Sequence, residues 1–374
     1  MKERKYLFKI GEISTLVEMV GFKAYSIFSL FPQACIETIP SILISPILFE
    51  ELYDYFSLQS LENENGYLRE KRKMFEDELK KLEFNLGEKN VLRASIVLPK
   101  YDSLSSGKYR INSRILRDNS DIFPEYLKMT KELIEKLHYE KDKNVKMAGI
   151  IQKLISPKIS GMVLSTPDKL LVEYLYGFLH PLTLGQQTPK SIIIKKDTSE
   201  YFNSKIPFNI KELIRIESKI RNYVKEKEFL IEWVFDGEKI YATDWRPVLY
   251  KDKQYVLFPS VKEKANILKI GKGTPVIRGN VIGKAKIISR QTIDSVENGD
   301  ICIIDRALPE YASLLQKATA IISETGGCCC HLATIARENC IVSVFGVEGI
   351  TKKIKTNDKI MINEEGEIYL YESI

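Results

Sequence analysis

The run Ser323-Glu324-Thr325-Gly326-Gly327-Cys328-Cys329-Cys330-His331-Leu332-Ala333-Thr334-Ile335-Ala336-Arg337-Glu338 decides how this sequence is read. It sets one of only three histidines directly after a glycine pair and three thiols. The apolar run Ala318 to Ile322 before it reads as a strand, and the residues from His331 onward read as a helix. Two chemistries compete for the histidine. A histidine nucleophile exposes one ring nitrogen while a hydrogen bond to the other fixes the tautomer. A phosphoryl group carried on it is anionic, which suits the free N–H groups and positive dipole end of a helix N-terminus. Gly326 and Gly327 would let the backbone approach closely and adopt positive φ. A metal site instead needs four ligands, usually with C-x₂₋₄-C spacing. Three consecutive cysteines cannot easily all point at one ion, Cys340 lies further on, and Cys302 falls on a different predicted strand. A buried histidine among small buried thiols is the third reading.

Size and composition bound the rest. A chain of 374 residues accommodates two or three domains, and its 44% hydrophobic and 28% charged residues are ordinary for a soluble protein. No apolar stretch reaches the roughly 18 residues of a membrane span; the longest, Ile39 to Phe49, is broken by Pro40 and Pro46. Met1-Lys2-Glu3-Arg4-Lys5 lacks the apolar core of a secretory signal, so a cytoplasmic location is expected. Six cysteines, three of them consecutive, fit reduced thiols better than a disulfide framework. The net charge of +6 is spread along the chain, and runs such as Arg69 to Lys73 or Lys352 to Lys355 are interrupted by an acid or an apolar residue. They read as solvated faces, with no nucleic-acid or membrane partner expected.

Charged, helix-like stretches cover Leu61 to Leu86 and Pro124 to Tyr139, and Ile210 to Lys227 is also helical in pattern. Strands are predicted at Ala148–Ile151, Gly161–Leu164, Leu170–Val172 and Ser191–Ile194. Phe229 to Val234 and Lys239 to Thr243 form a predicted hairpin turning at Asp236-Gly237. The polar stretch Tyr250 to Thr274 reads as a junction. After it, short β runs and short helices predict a compact α/β domain ending in β runs at Ile341–Phe345 and Lys359–Leu370.

The histidine run resembles the phosphohistidine loop of the PEP-utilising enzymes, the family of pyruvate phosphate dikinase, phosphoenolpyruvate synthase and rifampicin phosphotransferase. The family pattern is T-x-G-G, a short spacer ending in Ser or Cys, then H-x-A-x-x-A-R. Gly279-Asn280-Val281-Ile282-Gly283-Lys284-Ala285 resembles the family's G-x-x-x-G-x-A strand. Gly299 to Ile303, Pro309 and Val344 to Val347 match the segments on either side of the loop. The resemblance implies that His331 is phosphorylated, with Gly326 and Gly327 shaping its loop, on a swivelling carrier domain. One departure is Cys329, where many members have a hydroxyl residue that could bond a phosphate, since a thiol is a weak donor.

The N-terminal part resembles the family's ATP-grasp-like donor domain. Gly21-Phe22-Lys23-Ala24 with Leu30 resembles the opening G-G-K-G-A-x-L motif, without its second glycine. Ile39-Pro40 followed by Ile42-Leu43-Ile44 resembles the next strand, and Val91-Leu92-Arg93-Ala94-Ser95 resembles V-R-S-S. Ser106-Gly107, Gln152-Lys153-Leu154, Ser160-Gly161-Met162-Val163, Gly177, Gly185 and Thr188-Pro189 follow the family's order. Ile231-Glu232-Trp233 and Asp244-Trp245-Arg246-Pro247 resemble its I-E-[WF] and Q-x-R-P strands, with aspartate in place of glutamine. By resemblance, Lys23, Arg93 and Arg246 bind the phosphates of ATP, and Glu232 and Asp244 bind Mg²⁺. Oxygen ligands on adjacent strands suit that ion.

The expected architecture is therefore α/β (α+β): an ATP-grasp-like nucleotide-binding domain over 1–250, a linker at 251–272 and a swivelling phosphohistidine β/α domain over 273–374. The space between Arg246 and the carrier domain is far short of the roughly 250 residues of a TIM-barrel acceptor domain. The resemblance thus implies a dikinase-like phosphotransferase that phosphorylates His331 from ATP and passes the group to a small molecule or a separate acceptor protein. The departures keep a second function open, a degenerate non-catalytic paralogue that binds nucleotide or a partner. Cys328 to Cys330 keep a third, a thiol or zinc sensor.

Overall fold

The structure is a computed structural model that describes residues 5–12, 16–57, 64–82, 89–99, 109–140, 144–197, 206–248 and 267–371. Ser106-Gly107 and most of the expected linker lie outside the described residues. The fold is mixed α/β. In chain order its first half contains β1 (Leu7–Lys9), α1 (Val17–Tyr25), a π-helical stretch (Ser26–Leu30), α2 (Phe31–Gln33), β2 (Ser41–Ile44), α3 (Pro46–Ser57), α4 (Glu64–Lys81), β3 (Asn90–Val97), β4 (Arg114–Leu116), α5 (Ile122–Glu140) and β5 (Lys146–Lys153). There follow β6 (Ile159–Ser165), β7 (Lys169–Tyr176), α6 (His180–Thr183), β8 (Lys190–Lys195), α7 (Ile210–Arg221), β9 (Phe229–Phe235) and β10 (Ile240–Pro247). The last part holds β11 (Ile267–Lys272), β12 (Thr274–Ile277), β13 (Val281–Ile287), β14 (Ile301–Ile304), β15 (Ala320–Ser323), α8 (His331–Glu338), β16 (Val342–Phe345), α9 (Ile350–Lys353), β17 (Lys359–Ile362) and β18 (Glu367–Tyr371). Two compact units result, Met1–Lys158 with Lys205–Arg246, and Ile159–Ser204 with Pro247–Ile374.

The first unit is built on an antiparallel sheet of order β1-β2-β5-β3-β4. Its central strand β5 is apolar on both faces because both are covered. Met147 and Ile151 point into a core shared with Ile42, Ile44, Leu48, Leu52, Phe75 and Tyr126. Ala148 and Ile150 point the other way, against Val20, Ala24 and Ile27. Arg93 is paired with Ile150, so period-two alternation puts Arg93, Ser95 and Gln152 on the face that α1 covers.

The second unit contains the antiparallel meander β6-β7-β8 and an eight-stranded sheet of order β11-β18-β17-β13-β14-β15-β16-β12. The four strands β13 to β16 are parallel and almost wholly buried in their β14–β16 part, as a covered parallel sheet requires. Helix α8 is the crossover from β15 to β16. The last part of the stretch read as a junction is strand β11, which pairs antiparallel with β18. Its exposed Lys269 and Lys272 suit an edge strand in contact with water.

Candidate phosphohistidine and nucleotide sites

Strand β15 ends at Ser323, the chain turns through Thr325-Gly326-Gly327, and His331 is the first residue of α8. This is the strand, glycine turn and helix start expected from the sequence. Gly326 has φ of +94°, and a Cβ there would lie 2.8 Å from the Ala307 Cβ, so the position requires glycine. Thr325 Oγ1 donates to Gly185 O at 2.6 Å and anchors the turn. Cys330 is the N-cap residue and makes no side-chain cap hydrogen bond. His331 is half-buried while the rest of the helix, Leu332 to Arg337, is buried. Within α8, His331 is thus the least buried residue.

The three thiols are core residues. Cys328, Cys329 and Cys330 are buried, and burial is the main cause that raises all three thiol pKa values, Cys330 to about 12. Neutral buried thiols are poor nucleophiles and poor metal ligands. No group of three or more His, Cys, Asp or Glu side chains among the described residues is arranged to hold a metal ion. The expectation that Cys329 weakens a phosphate contact also changes: its side chain is fully buried and faces Glu173.

Glu173, on β7, is the residue that sequence reading missed. It is 1% exposed, and its two carboxylate oxygens accept from the backbone N–H groups of Cys328 at 2.7 Å and Cys329 at 2.9 Å. Burial raises its pKa, opposed by those amides and by Arg337. Arg337, also buried, donates from Nη2 to Cys328 O at 2.6 Å. The available signal was an acid inside the apolar run Leu170 to Leu175. An unpaired carboxylate there would be too costly, so it needed a partner.

The nucleotide-site candidates gather in the first unit. Gly21 breaks α1 at its middle with φ of +77°, and a Cβ would lie 2.3 Å from Ile96 O. This close approach, with Ala24 N donating to Ser95 Oγ at 3.0 Å, lays the Lys23 turn on β3. Ser26 then ties the π-helical stretch to β10, its Oγ accepting from Trp245 N at 3.1 Å. π-Helical turns of this kind recur at functional sites. Arg93 Nη1 donates to Gln152 Oε1 at 2.9 Å and to Thr243 O at 3.2 Å. Gln152 in turn donates to Ser41 Oγ at 2.9 Å, so the guanidinium is held from behind.

The electrostatics link these residues. Burial and Arg93 lower the Lys23 pKa, against Asp244 and Glu232. Asp244 is pushed up to about 6, first by burial and then by Glu232, against Lys23, Arg93 and Arg246. Arg110, which no motif pointed to, interacts with Glu232 and Arg246 and is itself lowered by burial. Asp244 is 8% exposed, and its Oδ1 accepts no hydrogen bond among the described residues. A buried carboxylate oxygen without a donor, beside a second carboxylate, fits a hard cation. Two carboxylates supply only part of an octahedral shell, as for Mg²⁺ that also binds phosphate oxygens and water.

The family described as PEP-utilising enzyme, mobile domain, matches residues 296–365, which contain the whole turn and α8. Residues 296–365 are similar to this mobile domain. Similar curated proteins include a probable phosphoenolpyruvate synthase of Archaeoglobus fulgidus, 26% identical over 261 residues that cover 60% of this chain and 34% of that protein. A phosphoenolpyruvate synthase of Helicobacter pylori is 30% identical over 176 residues, covering 42% of this chain and 21% of its own. The chain therefore spans about a third or less of the length of these PEP-utilising relatives. No helix among the described residues is long and apolar enough to cross a membrane.

Proposed function

We propose that this chain is an ATP-dependent, dikinase-like phosphotransferase in which His331 carries the phosphoryl group. The observation that carries the reading is His331 at the first turn of α8, after a strand and a glycine turn, inside the segment that matches the PEP-utilising mobile domain. A ring nitrogen of His331 attacks a phosphorus of ATP, an N–P bond forms, and the P–O bond to the leaving phosphate ester breaks. If the β-phosphoryl is retained, attack at the β-phosphorus releases AMP and leaves a pyrophosphoryl group on His331, and water then attacks the γ-phosphorus, breaks the β–γ P–O bond and releases phosphate. The group then passes to a small molecule or to an acceptor on a separate chain.

The supporting roles follow from the charges. Lys23, Arg93 and Arg246 hold phosphate oxygens of an ATP-grasp-like site, with Arg110 as a further cation beside Glu232. Glu232 and Asp244 would hold Mg²⁺, which would supply positive charge to phosphate oxygens during transfer. The carrier and donor parts belong to domains of the boundaries read from sequence, 1–250 and 273–374, in a cytoplasmic protein. The test uses ATP labelled separately at the β- and γ-phosphorus. Acid-labile label on the wild type that disappears in His331→Ala supports the reading, and the labelled position identifies which phosphoryl is kept. Mg·ATP binding by calorimetry with no label on wild type would refute transfer and favour a nucleotide-binding relative that transfers nothing.

A further inference from the structure

The residue Cys328 is held at both ends. Its N–H, together with that of Cys329, donates to the Glu173 carboxylate, and its carbonyl accepts from Arg337. Glu173 and Arg337 are both buried, at 1% and 4% exposure, and carry opposite charges. Such charge-assisted bonds are about twice as strong as neutral ones, and stronger still away from water. Gly327 is shaped around the same carboxylate: a Cβ there would lie 2.6 Å from both of its oxygens. The two clamping residues reach the turn from different elements, Glu173 from β7 and Arg337 from the last turn of α8. The held residue lies three positions before His331, with the buried side chains of Cys329 and Cys330 between.

We propose that Glu173 and Arg337 are positioning residues for His331, a two-sided clamp on Cys328 that fixes where the turn ends and hence where the imidazole is presented. The sequence match covers Arg337 but not Glu173, so half of the clamp comes from outside the segment matched to the mobile domain. Glu173 reaches no substrate; it acts through the turn. A small displacement of a reacting group lowers rate more than affinity, because attack needs a near-linear approach at about 3–3.5 Å. This inference rests on the phosphotransfer reading for its kinetic consequence, but its geometric content does not.

The test compares wild type with Glu173→Gln and Gly327→Ala in the full chain. Glu173→Gln keeps the shape but turns one acceptor into a donor facing an N–H. Gly327→Ala leaves the carboxylate in place chemically and drives it off sterically. The first readout is amide exchange at Cys328 and Cys329 by NMR. Both variants should exchange these amides about 10- to 100-fold faster, the loss expected when a charged hydrogen bond is removed. The second readout is labelling of His331 from ATP, where kcat should fall by about 10-fold or more with KM for ATP unchanged. Glu173→Asp, which keeps the charge on a shorter arm, should recover part of both. Unchanged exchange in both variants overturns the clamp; faster exchange with unchanged kcat overturns the positioning role. Absence of label on wild type refutes the phosphotransfer reading instead, and the clamp is then decided by the exchange data alone.

Discussion

Asp244→Asn should make the protein more stable and, under the proposed function, weaken binding of Mg·ATP. Asp244 is buried beside Glu232, and its carboxyl is held at about 6 rather than 3.8. Ionising it in the folded state therefore costs about 3 kcal/mol more than in the unfolded chain. Asparagine reproduces the neutral form in nearly the same volume, so much of that cost should be recovered at pH 7.5. For a folding unit of about 200 residues, a gain of this order raises Tm by roughly 5 °C or more. The sign with pH follows from linkage. The folded pKa is raised, so the destabilisation is fully present above about 6 and disappears as pH falls toward the ordinary carboxyl value. The advantage of the variant should thus shrink to about half at pH 5. The assay is urea unfolding of both proteins at pH 7.5 and pH 5, with calorimetric titration of Mg·ATP alongside. A carbonyl oxygen still ligates a hard cation, so binding should weaken rather than vanish. A variant less stable than wild type at pH 7.5, or equally advantaged at both pH values, would refute the electrostatic account of this site.

Gly21→Ala should cost about 3 kcal/mol or more in urea unfolding, because φ of +77° is unfavourable to alanine and the new Cβ would meet Ile96 O at 2.3 Å. By moving the Lys23 turn off β3 it should also weaken nucleotide binding, measured by calorimetry. His331→Ala should change unfolding free energy by less than about 1 kcal/mol, since the side chain is half-buried and its backbone is unaltered; a larger loss would make His331 a core residue rather than a carrier. A thiol reagent should titrate Cys35 quickly and Cys340 more slowly, while Cys302 and Cys328 to Cys330 should react only after denaturation.

Local pattern made much of the fold legible. The apolar runs at Ala148–Ile151, Gly161–Leu164, Leu170–Val172 and Ser191–Ile194 lie in strands β5 to β8, because each is a short apolar run of strand length. The Asp236-Gly237 turn is realised, with Asp236 Oδ1 accepting from the N–H groups of Glu238 and Lys239 and Gly237 at φ of +115°. Partner choice between distant strands was not legible. Nothing local in Thr274–Ile277 says that it closes the far edge of an eight-stranded sheet against β16. The Lys23 turn was found by motif, but its reason was not: Gly21 is required by the approach to Ile96, some 75 residues away. Glu173 was hidden for the same reason, since its partners lie about 155 residues further along the chain.

The two buried carboxylates separate a ligand site from a scaffold. Glu173 and Asp244 are both almost inaccessible, and burial raises the pKa of both. Glu173 is satisfied from within, by two amides and a nearby guanidinium, so its charge needs nothing from outside. Asp244 is not: its Oδ1 has no donor among the described residues, and its strongest charged neighbour is another acid. A fold that keeps an unsatisfied buried anion at a cost of about 3 kcal/mol is less stable than the same fold with a neutral residue there. Such a position makes physical sense where a bound cation supplies the missing partner, and under the proposed function Lys23, Arg93 and Arg246 would hold the phosphate oxygens beside it. By the same reasoning Glu173 is a poor candidate for a metal or substrate contact, because any ligand would first have to displace two charge-assisted hydrogen bonds. Under the proposed function, charge burial separates the two acids into opposite roles, Asp244 toward binding and Glu173 toward holding the turn that carries His331.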